Sequence, residues 1–465
     1  MSIISRLPRN DQTNAWSTIL PKRTPHTALA KDIKADWLVI GGGYAGLAAA
    51  RQLALNRPDD SIALVEAGVC GENASGRNSG FIIDLPHTTS SSLDQLEGSH
   101  RYLRLARAAT VALEKNVSDF GIQCDWSRDG KYHAAVTPAG SQAMLDPYAT
   151  ELTALNEPFE WVEKDTLTAK LGTRHFHRAL CTPGCVLMNP AALTRGLAGT
   201  LPENISIYEN SPVMAMNYAN GMCATTQGGS ITAPRMILAA NGFSEQFGHG
   251  KNTFVHLALC ASLTRPLTPD EQANFGVDKP WGLTPANGFG GITMRYTNDR
   301  RILIRQDIKV AMGQDFKSQK TDTIGRSHKA LMDARFPKLR AVSFESSWVG
   351  YVCMSRNCAS TFGEVSPNIW MATCQNGIGV TKGTISGMLI ADKACGVLNP
   401  LIKDMEALGT PTPLPPRPLV EVGARATIGW EVWKNRAVVH SVTLASERAL
   451  VSIAPHPAAR EGGEQ

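Results

Sequence analysis

Three glycines and one acid have the residue types and the spacing to bind a dinucleotide. In Gly41-x-Gly43-x-x-Gly46, the first glycine permits a tight turn, the second lets the backbone approach a pyrophosphate, and the third lets a helix pack closely on a strand. Glu66 follows about 20 residues later, where an acid hydrogen-bonds the ribose of a bound adenosine. An acid here disfavours a 2′-phosphate, so the pattern predicts FAD or NAD and not NADP.

The surrounding segments must form the elements that position these residues. An apolar run over 37–40 predicts a strand before the glycines, 47–53 a helix after them, and 62–65 a second strand that ends at Glu66. Backbone N–H groups at the start of that helix favour an anion. Three flanking residues are expected to contact the nucleotide as well: Tyr44, Ala45 and Ala67.

Two further glycine-rich segments could face the same ligand. Residues 68–81 form a small, polar, glycine-punctuated loop with many backbone N–H groups free to face a ligand. Near the C-terminal end, a strand over 368–373 leads into a turn at 375–379 and then into a helix over 384–394. This second strand, turn and helix unit also places a helix N-terminus beside an electron-rich group.

Length and composition limit the possible classes of protein. A chain of 465 residues, 43% of them hydrophobic, is long enough for two domains. The net charge of +5 is mild, and aromatic residues make up only 6% of the chain without an interleaved basic run. These features make nucleic-acid binding a poor interpretation.

The sequence also predicts a soluble, cytoplasmic protein. Residues 1–34 lack the apolar core of a secretory signal, and no stretch approaches the roughly 18 apolar residues of a membrane span. The ten cysteines are scattered instead of forming a dense framework, which favours reduced thiols in a reducing compartment.

The pattern of elements predicts an α/β fold, with a Rossmann-type dinucleotide-binding domain and an inserted α+β substrate domain built on an antiparallel sheet. Short strands with turn signals from 121 onward, and again over 254–344, mark the insertion. The predicted units are an N-terminal arm over 1–34, a discontinuous nucleotide domain over 35–120, 186–250 and 346–408, a substrate domain over 121–185 and 251–345, and a C-terminal linker, helix and tail over 409–465.

Taken together, the chain resembles the FAD-dependent amino-acid and amine oxidoreductases of the D-amino-acid oxidase type, especially their gamma-glutamylputrescine oxidoreductase branch. The most specific matches are the Ser-Gly-Arg-Asn-x-Gly loop and the late Gly-x-Gly-Val turn. The matching motifs are Trp16-Ser17-x-x-Leu20-Pro21, Ala74-Ser75-Gly76-Arg77-Asn78-Ser79-Gly80, Asn189-Pro190, Ala240-Asn241-Gly242, Arg295-x-Thr297-x-Asp299-x-Arg301, Trp348-x-Gly350 and Gly377-Ile378-Gly379-Val380.

The resemblance implies FAD as the cofactor and assigns positions around it. The loop from Ser75 to Gly80 would run beside the pyrophosphate and the isoalloxazine, and the backbone of Val213 would meet the adenine. Residues 376–382, which include Asn376, Thr381 and Lys382, would approach the flavin C2 carbonyl. A helix N-terminus and Lys382 could there stabilise the negative charge of reduced flavin.

The implied reaction is oxidative deamination, in which hydride leaves a carbon that bears an amine and water hydrolyses the imine. The substrate would be an amine or amino acid, a gamma-glutamyl amine being one class. O₂ or an electron carrier would receive the electrons, so an oxidase and a dehydrogenase both stay open. A largely structural flavin subunit of a larger complex is a further alternative. Three departures from the family pattern bear on the substrate and not on FAD: Ser79 replaces a glycine, Asn376 a histidine, and a glycine near Arg305 is absent.

Asp84, His87 and Arg295 are candidates to act on the substrate. Asp84 and His87 directly follow the flavin loop, so one of them could accept an amine proton; a strand edge with a surface His87 is the plainer interpretation. An Arg such as Arg295 often holds a substrate carboxylate through paired N–H groups, whereas Asp299 and Arg301 are expected to pair across their turn.

Two cysteine-containing segments have simpler explanations than a special chemistry. Cys353 lies close to where monomeric sarcosine oxidases attach flavin covalently, but the rest of that local motif is missing, so a buried thiol is favoured. A cluster of possible metal ligands lacks C-x-x-C spacing and surrounds an ordinary Pro-Gly turn, so no metal is predicted. That cluster is His175, His177, Cys181 and Cys185.

Overall fold

The computed structural model describes residues 2–9, 11–86, 96–219, 221–285, 291–314 and 321–439. Twenty-one strands lie within these ranges: β1 Ser2–Ile3, β2 Ile33–Lys34, β3 Trp37–Ile40, β4 Ile62–Val65, β5 Phe81–Ile82, β6 Lys131–Ala135, β7 Glu160–Glu163, β8 Arg178–Thr182, β9 Val186–Leu187, β10 Ile205–Tyr208, β11 Ala215–Asn217, β12 Met222–Thr225, β13 Ser230–Ala233, β14 Arg235–Leu238, β15 Val255–Thr264, β16 Trp281–Pro285, β17 Thr293–Tyr296, β18 Ile302–Val310, β19 Phe344–Met354, β20 Thr361–Ser366 and β21 Ile369–Thr373.

Thirteen α-helices lie within the same ranges: α1 Ala15–Thr18, α2 Tyr44–Asn56, α3 Ala74–Arg77, α4 Leu96–Asp119, α5 Pro138–Gly140, α6 Asp146–Ala154, α7 Lys164–Leu171, α8 Pro190–Gly199, α9 Pro269–Phe275, α10 Thr321–Arg335, α11 Thr381–Cys395, α12 Leu401–Ala407 and α13 Leu419–Val439. None of them combines the length and the apolar character that a bilayer crossing requires.

A six-stranded sheet forms the nucleotide-binding part, in the order β10-β4-β3-β14-β21-β20. All its neighbours are parallel except β20, which pairs antiparallel with β21. The sequence correctly predicted strands β3 and β4, the glycine turn that follows β3, and helix α2. It also predicted β21 and the helix that follows, although α11 begins three residues earlier than the expected 384.

Both faces of this parallel sheet are buried, which explains why its strands read as continuous apolar runs. On β3, Trp37 and Val39 pack into the core that includes α2, α8 and α11, whereas Leu38 and Ile40 pack into a second core. That second core is closed by a five-stranded sheet of order β1-β11-β12-β13-β2. Strands β1 and β2 come from the predicted N-terminal arm, so the arm is built into the fold.

An eight-stranded sheet covers the nucleotide-binding part, in the order β19-β15-β18-β17-β16-β6-β8-β7. All its neighbours are antiparallel except β16 and β6. The predicted hairpin at 294–304 is confirmed as β17 and β18. The predicted α/β fold class, with a Rossmann-type domain and a substrate domain built on a largely antiparallel sheet, is therefore confirmed.

Several elements differ from the sequence prediction. Segments read as strands and turns also contain helices α5, α6, α7, α9 and α10, because turn residues such as Thr137-Pro138 and Thr268-Pro269 cap helices as well as they form turns. Strand β19 extends beyond the predicted boundary at 345 because ten of its residues pair with β15. The C-terminal helix α13 packs on β15 and β18.

Close packing of α2 against α11 holds the layer under the nucleotide end together. A Cβ added at Gly387 of α11 would collide with the carbonyl oxygen of Ala45, near the start of α2. A Cβ at Gly46 would collide in the same way with the carbonyl oxygen of Gly41. Glycine at both positions therefore lets the two helices approach the glycine turn.

We expect Gly387→Ala to lower the free energy of unfolding by about 1–3 kcal/mol, because overpacking forces backbone shifts. Urea denaturation followed by circular dichroism measures this change. Gly423→Ala in α13 is the matched control, since its added methyl group meets no atom and alanine favours a helix by up to about 1 kcal/mol. Equal effects of the two substitutions would contradict the packing argument.

Candidate active site

One cavity of about 660 Å³ lies between the six-stranded and the eight-stranded sheets. One end is lined by the glycine turn, Glu66 and Val213, and the other by the second glycine turn at Gly377 to Val380. The roof comes from strands of the eight-stranded sheet and from β5. Its lining side chains include Phe81, Ile83, Leu259, Ala261, Thr284, Thr293, Arg305 and Tyr351.

At the end of the cavity that the glycine turn lines, the Glu66 carboxylate holds the backbone through two hydrogen bonds. One carboxylate oxygen accepts the N–H of Gly42 at 2.7 Å, and the other accepts the N–H of Gly68 at 3.0 Å. Gly41 has a φ of +109°, which a residue with a side chain rarely adopts. Helix α2 begins after Gly43, which supplies no side-chain cap, so the N–H groups of Ala45 and Gly46 that follow Tyr44 are available to an anionic ligand.

The loop after α3 is braced on several sides. The N–H of Tyr44 donates to the hydroxyl of Ser75 at 3.2 Å, which links this loop to the start of α2. Asn78 donates to the carbonyl of Ser75 at 2.7 Å and accepts the N–H of Gly80 at 2.8 Å. The indole N–H of Trp16 donates to the carbonyl of Asn78 at 2.9 Å. The loop is thus held open toward the cavity by side chains that lie outside it.

At the second end, Asn376 braces the turn before α11. It has a φ of +53°, and its amide group donates to the carbonyls of Cys358, Ala359 and Cys374 at 3.0 Å each. A Cβ added at Gly377 or at Gly379 would meet no atom within 4 Å, although both glycines line the cavity. The turn therefore leaves open the space that a planar ring requires.

Most of the predicted cofactor-binding residues line this one cavity. They are Gly41, Gly43, Tyr44, Ala45, Glu66, Ala67, Ser75, Arg77, Asn78, Ser79, Val213, Ala240, Asn241, Gly377, Ile378, Gly379, Val380 and Thr381. Five others lie beside the lining and act on its backbone or packing: Gly46, Gly76, Gly242, Asn376 and Lys382.

A match to one protein family shows to which family the protein that contains this cavity belongs. The model of the family described as FAD dependent oxidoreductase, abbreviated DAO, matches residues 36–393. The chain belongs to the FAD-dependent oxidoreductase family. The match includes both glycine turns and both large sheets, so the family assignment covers the whole cavity apart from the N-terminal arm.

Individual proteins that are similar to this chain are also named as oxidoreductases. The probable oxidoreductase OrdL of Haemophilus influenzae is 24% identical and aligns with 78% of this chain and 83% of its own. Gamma-glutamylputrescine oxidoreductase of Escherichia coli is 23% identical over 80% and 86%. Among solved structures, glycine oxidase of Geobacillus kaustophilus has a TM-score of 0.66 at 16% identity, with 79% and 96% covered. L-proline dehydrogenase of P. horikoshii has a TM-score of 0.63 at 14% identity, with 83% and 98% covered.

The residues of the cavity fit FAD, the cofactor of this family. The uncapped start of α2 and the hydroxyl of Ser75 suit a pyrophosphate, and the Glu66 carboxylate suits an adenosine ribose. Helix α11 also begins without a side-chain cap, at the end where Gly377 and Gly379 leave room for a ring. The glycine motif alone allowed FAD or NAD, and the family binds FAD.

Asp84, one of the two candidate proton acceptors, does not line the cavity. Asp84 is 5% exposed and packs against Gly184, whose added Cβ would collide with the Asp84 carboxylate. Burial raises the pKa of Asp84, and the nearby buried Lys131 opposes that rise. Its neighbour Ile83 lines the cavity, whereas Asp84 does not. His87 lies outside the described residues.

Lys382 points away from the ring space. Its amine donates to the carbonyl of Cys358 at 3.1 Å, and burial lowers its pKa. The neighbours Thr381 and Gly383 line the cavity, whereas Lys382 does not. The positive end of α11 therefore lies closer to the predicted flavin position than the Lys382 amine does.

Arg295 joins the two parts of the protein instead of lining the cavity. Its Nη1 donates to the backbone carbonyls of Ser79 at 3.1 Å, Gly80 at 2.9 Å and Met188 at 2.7 Å. Burial lowers its pKa to about 10. Arg301 pairs with Asp299 at 2.7 Å, as the sequence predicted, and also with Glu345. Arg295 thus anchors strand β17 of the eight-stranded sheet to the loop that precedes β5.

Cys353 makes a local contact next to the cavity. Its thiol donates to the side-chain oxygen of Asn241 at 2.8 Å, and burial raises its pKa. It is fully buried and is not part of the cavity lining. As for metals, the described residues contain no group of three or more His, Cys, Asp or Glu side chains that could hold an ion.

Sequence reasoning missed two contributors to the cavity. Arg305 stands on β18 directly after the apolar residues Ile302, Leu303 and Ile304, and a charge that interrupts this apolar run was the available signal. The other contributor is the start of the N-terminal arm, of which Ile4, Arg6 to Arg9 and Asp11 line the cavity. These residues precede the Trp16 motif and belong to no motif from which a role could be inferred.

We expect Arg295→Lys to destabilise the protein by about 1–3 kcal/mol, because a lysine amine cannot satisfy the three buried carbonyls in the same geometry. Denaturant unfolding of the FAD-bound protein measures this change. Arg301→Lys is the matched control on the same hairpin, since the partners of Arg301 are half-exposed carboxylates. A larger loss for Arg301→Lys would contradict the anchoring role.

Proposed function

We propose that the protein oxidises an amine that carries a carboxylate, such as an amino acid or a gamma-glutamyl amine, by removing hydride from the carbon beside the nitrogen. The observation that carries this proposal is Arg305, a cation that faces the cavity from the eight-stranded sheet. FAD, when bound, supplies the hydride acceptor.

Arg305 has the surroundings of a binding residue for an anion. Its Nη2 donates to the hydroxyl of Thr293 at 2.7 Å, and among the described residues no carboxylate forms an ion pair with it. Its side chain is half-buried, and removal from water lowers its pKa to about 10. At neutral pH the guanidinium is therefore charged, and no carboxylate of the described residues neutralises it.

A half-buried cation without a carboxylate partner in the described part of the chain is costly, and a carboxylate ligand would offset that cost. Removing a charge from water without a partner is unfavourable, whereas a guanidinium binds a carboxylate through two parallel N–H donors. Arg305 and the second glycine turn line the same cavity. A substrate carboxylate on Arg305 would therefore leave the amine end of the molecule to approach the flavin ring.

The walls of the cavity suit the deprotonated form of the amine. Apolar side chains of Phe81, Ile83, Leu259 and Ala261 line it. An apolar environment lowers the pKa of an amine because it disfavours the charged form. The lone pair of a neutral amine assists the departure of hydride from the neighbouring carbon. No side chain needs to take the role that Asp84 or His87 was predicted to have.

The activities after which similar proteins are named support an amine or amino-acid substrate. They include gamma-glutamylputrescine oxidoreductase, glycine oxidase, L-proline dehydrogenase and L-amino acid deaminase. An oxidase and a dehydrogenase both occur among them, so O₂ and an electron carrier are both retained as acceptors. Peroxide formed during turnover without a mediator would assign the protein to the oxidases.

We also propose the domain division and the location that the sequence predicted. The nucleotide-binding segments correspond to the six-stranded sheet and the substrate segments to the eight-stranded sheet, with the last boundary moved from 345 to the end of β19 at 354. The ten cysteines, all within the described ranges, are free thiols, which supports a reducing, cytoplasmic location.

We expect Arg305→Met to weaken substrate binding about 10- to 100-fold, because a charged hydrogen-bonded contact contributes about 1.5–3 kcal/mol. The substrate is first identified by an anaerobic screen of amino acids, N-methyl amino acids and gamma-glutamyl amines, read from bleaching of the oxidised flavin band. Anaerobic titration of the variant then gives its dissociation constant.

Arg326→Met, which removes an exposed cation from α10, is the control and should leave the dissociation constant unchanged. Both variants should retain FAD. An unchanged affinity in Arg305→Met, or equal weakening for a substrate analogue without the carboxylate, would contradict the proposed contact. If no amine bleaches the flavin of the native protein, the substrate class itself is wrong.

A further inference from the structure

The N-terminal arm, defined as residues 2–13, forms part of the wall around the cofactor cavity. Ile4, Arg6, Leu7, Pro8, Arg9 and Asp11 line the cavity together with the glycine turn and the loop after α3. The family model begins only at residue 36, so the arm lies outside the residues that the model matches. The family assignment therefore gives the arm no role.

The first end of the arm is anchored to the five-stranded sheet. Strand β1 pairs with β11, and the N–H of Ile4 donates to the carbonyl of Met214 at 2.9 Å. The side chain of Gln246 then holds the backbone of Arg6 twice, accepting its N–H at 2.8 Å and donating to its carbonyl at 2.7 Å. This anchor lies beside Val213, at the predicted adenine end.

The second end is anchored to the loop that is predicted to run beside the pyrophosphate. Asp11 accepts from Nη2 of Arg77 at 2.7 Å, and the Asp11 carboxylate also accepts from the hydroxyl of Thr13 at 2.7 Å. Arg77 is buried and further donates to the carbonyls of Glu72 at 2.7 Å and Val349 at 3.1 Å. Asp11 is thus joined to a side chain that is also held by the carbonyls of Glu72 and Val349, in two other parts of the fold.

We propose that the arm is a cover on the FAD site, and that the Asp11–Arg77 ion pair keeps this cover closed and slows the exchange of FAD. A dinucleotide in the cavity lies between the arm and the glycine turn, so it leaves only when one anchor of the arm opens. The second anchor is the one that opens more easily, because it rests on side-chain contacts of a partly exposed Asp11, whereas the first includes a paired strand.

The inference does not depend on the substrate, since it concerns only the retention of FAD. It also separates two roles of Arg77: the guanidinium supports the loop through backbone carbonyls, and it holds the arm through Asp11. Removing the Asp11 charge leaves the first role in place. Substitution of Asp11, and not of Arg77, is therefore the selective change.

The test is the rate at which FAD leaves the purified holoenzyme, followed by the rise in flavin fluorescence after dilution into a flavin-binding scavenger protein. We expect Asp11→Asn to release FAD about 10-fold faster, since losing a charged hydrogen bond to a buried partner costs about 1.5 kcal/mol or more. Asp11→Glu should restore a slower release. Gln246→Leu, which loosens the first anchor, should also speed release.

Glu114→Gln is the matched control, because it breaks a surface ion pair with Arg128 far from the cavity. It should leave the release rate unchanged. The melting temperature separates a cover from a general structural role: we expect Asp11→Asn to lower that of the holoenzyme and to leave that of the FAD-free protein unchanged. The proposal would be overturned if Asp11→Asn and Gln246→Leu both released FAD at the native rate. It would also be overturned if Asp11→Asn lowered the melting temperature equally with and without FAD.

Discussion

The rest of the structure depends on the close approach of two helices to one turn of backbone. Helix α2 packs on the Gly41 carbonyl because Gly46 has no side chain, and α11 packs on the Ala45 carbonyl because Gly387 has none. The sheet beneath is parallel, so the starts of both helices lie at the same edge. The starts of both helices, with the positive ends of their dipoles, therefore lie at one cavity, and a long anionic cofactor can span them.

A second constraint joins the sheet that carries the cofactor turns to the sheet that covers them. Buried Arg295 reaches from β17 to the carbonyls beside the loop after α3, so the roof has a fixed position over the flavin end. On the adjacent strand, Arg305 instead donates to one hydroxyl and faces the cavity. Two arginines ten residues apart thus have different roles because their hydrogen-bond partners differ, and residue type alone does not distinguish them.

Most of the residues predicted to bind the cofactor line the cavity, whereas Asp84, Arg295 and Lys382, which were predicted to act in catalysis, do not. Residues such as Gly41, Glu66 and Gly377 act through the backbone or next to it, and a local stretch of chain is enough to define what they do. Asp84 was selected because it follows the flavin loop, but its side chain packs against Gly184, far away in the sequence. Substrate-facing positions come from several strands, and only the folded sheet decides which side chains face inward.

By itself the sequence determined the α/β class, the two glycine turns, the acid that follows the first turn, and the family's cofactor. These features follow from short-range rules, because spacing along the chain sets the turn, the helix start and the strand. The tertiary structure alone decided that Arg295 is an anchor, that Arg305 faces the cavity, and that the arm from Ile4 to Asp11 closes its wall. The Arg295 anchor and the attachment of the arm depend on contacts between residues more than 60 positions apart, and the orientation of Arg305 depends on strand pairing within the eight-stranded sheet; no local pattern encodes such contacts.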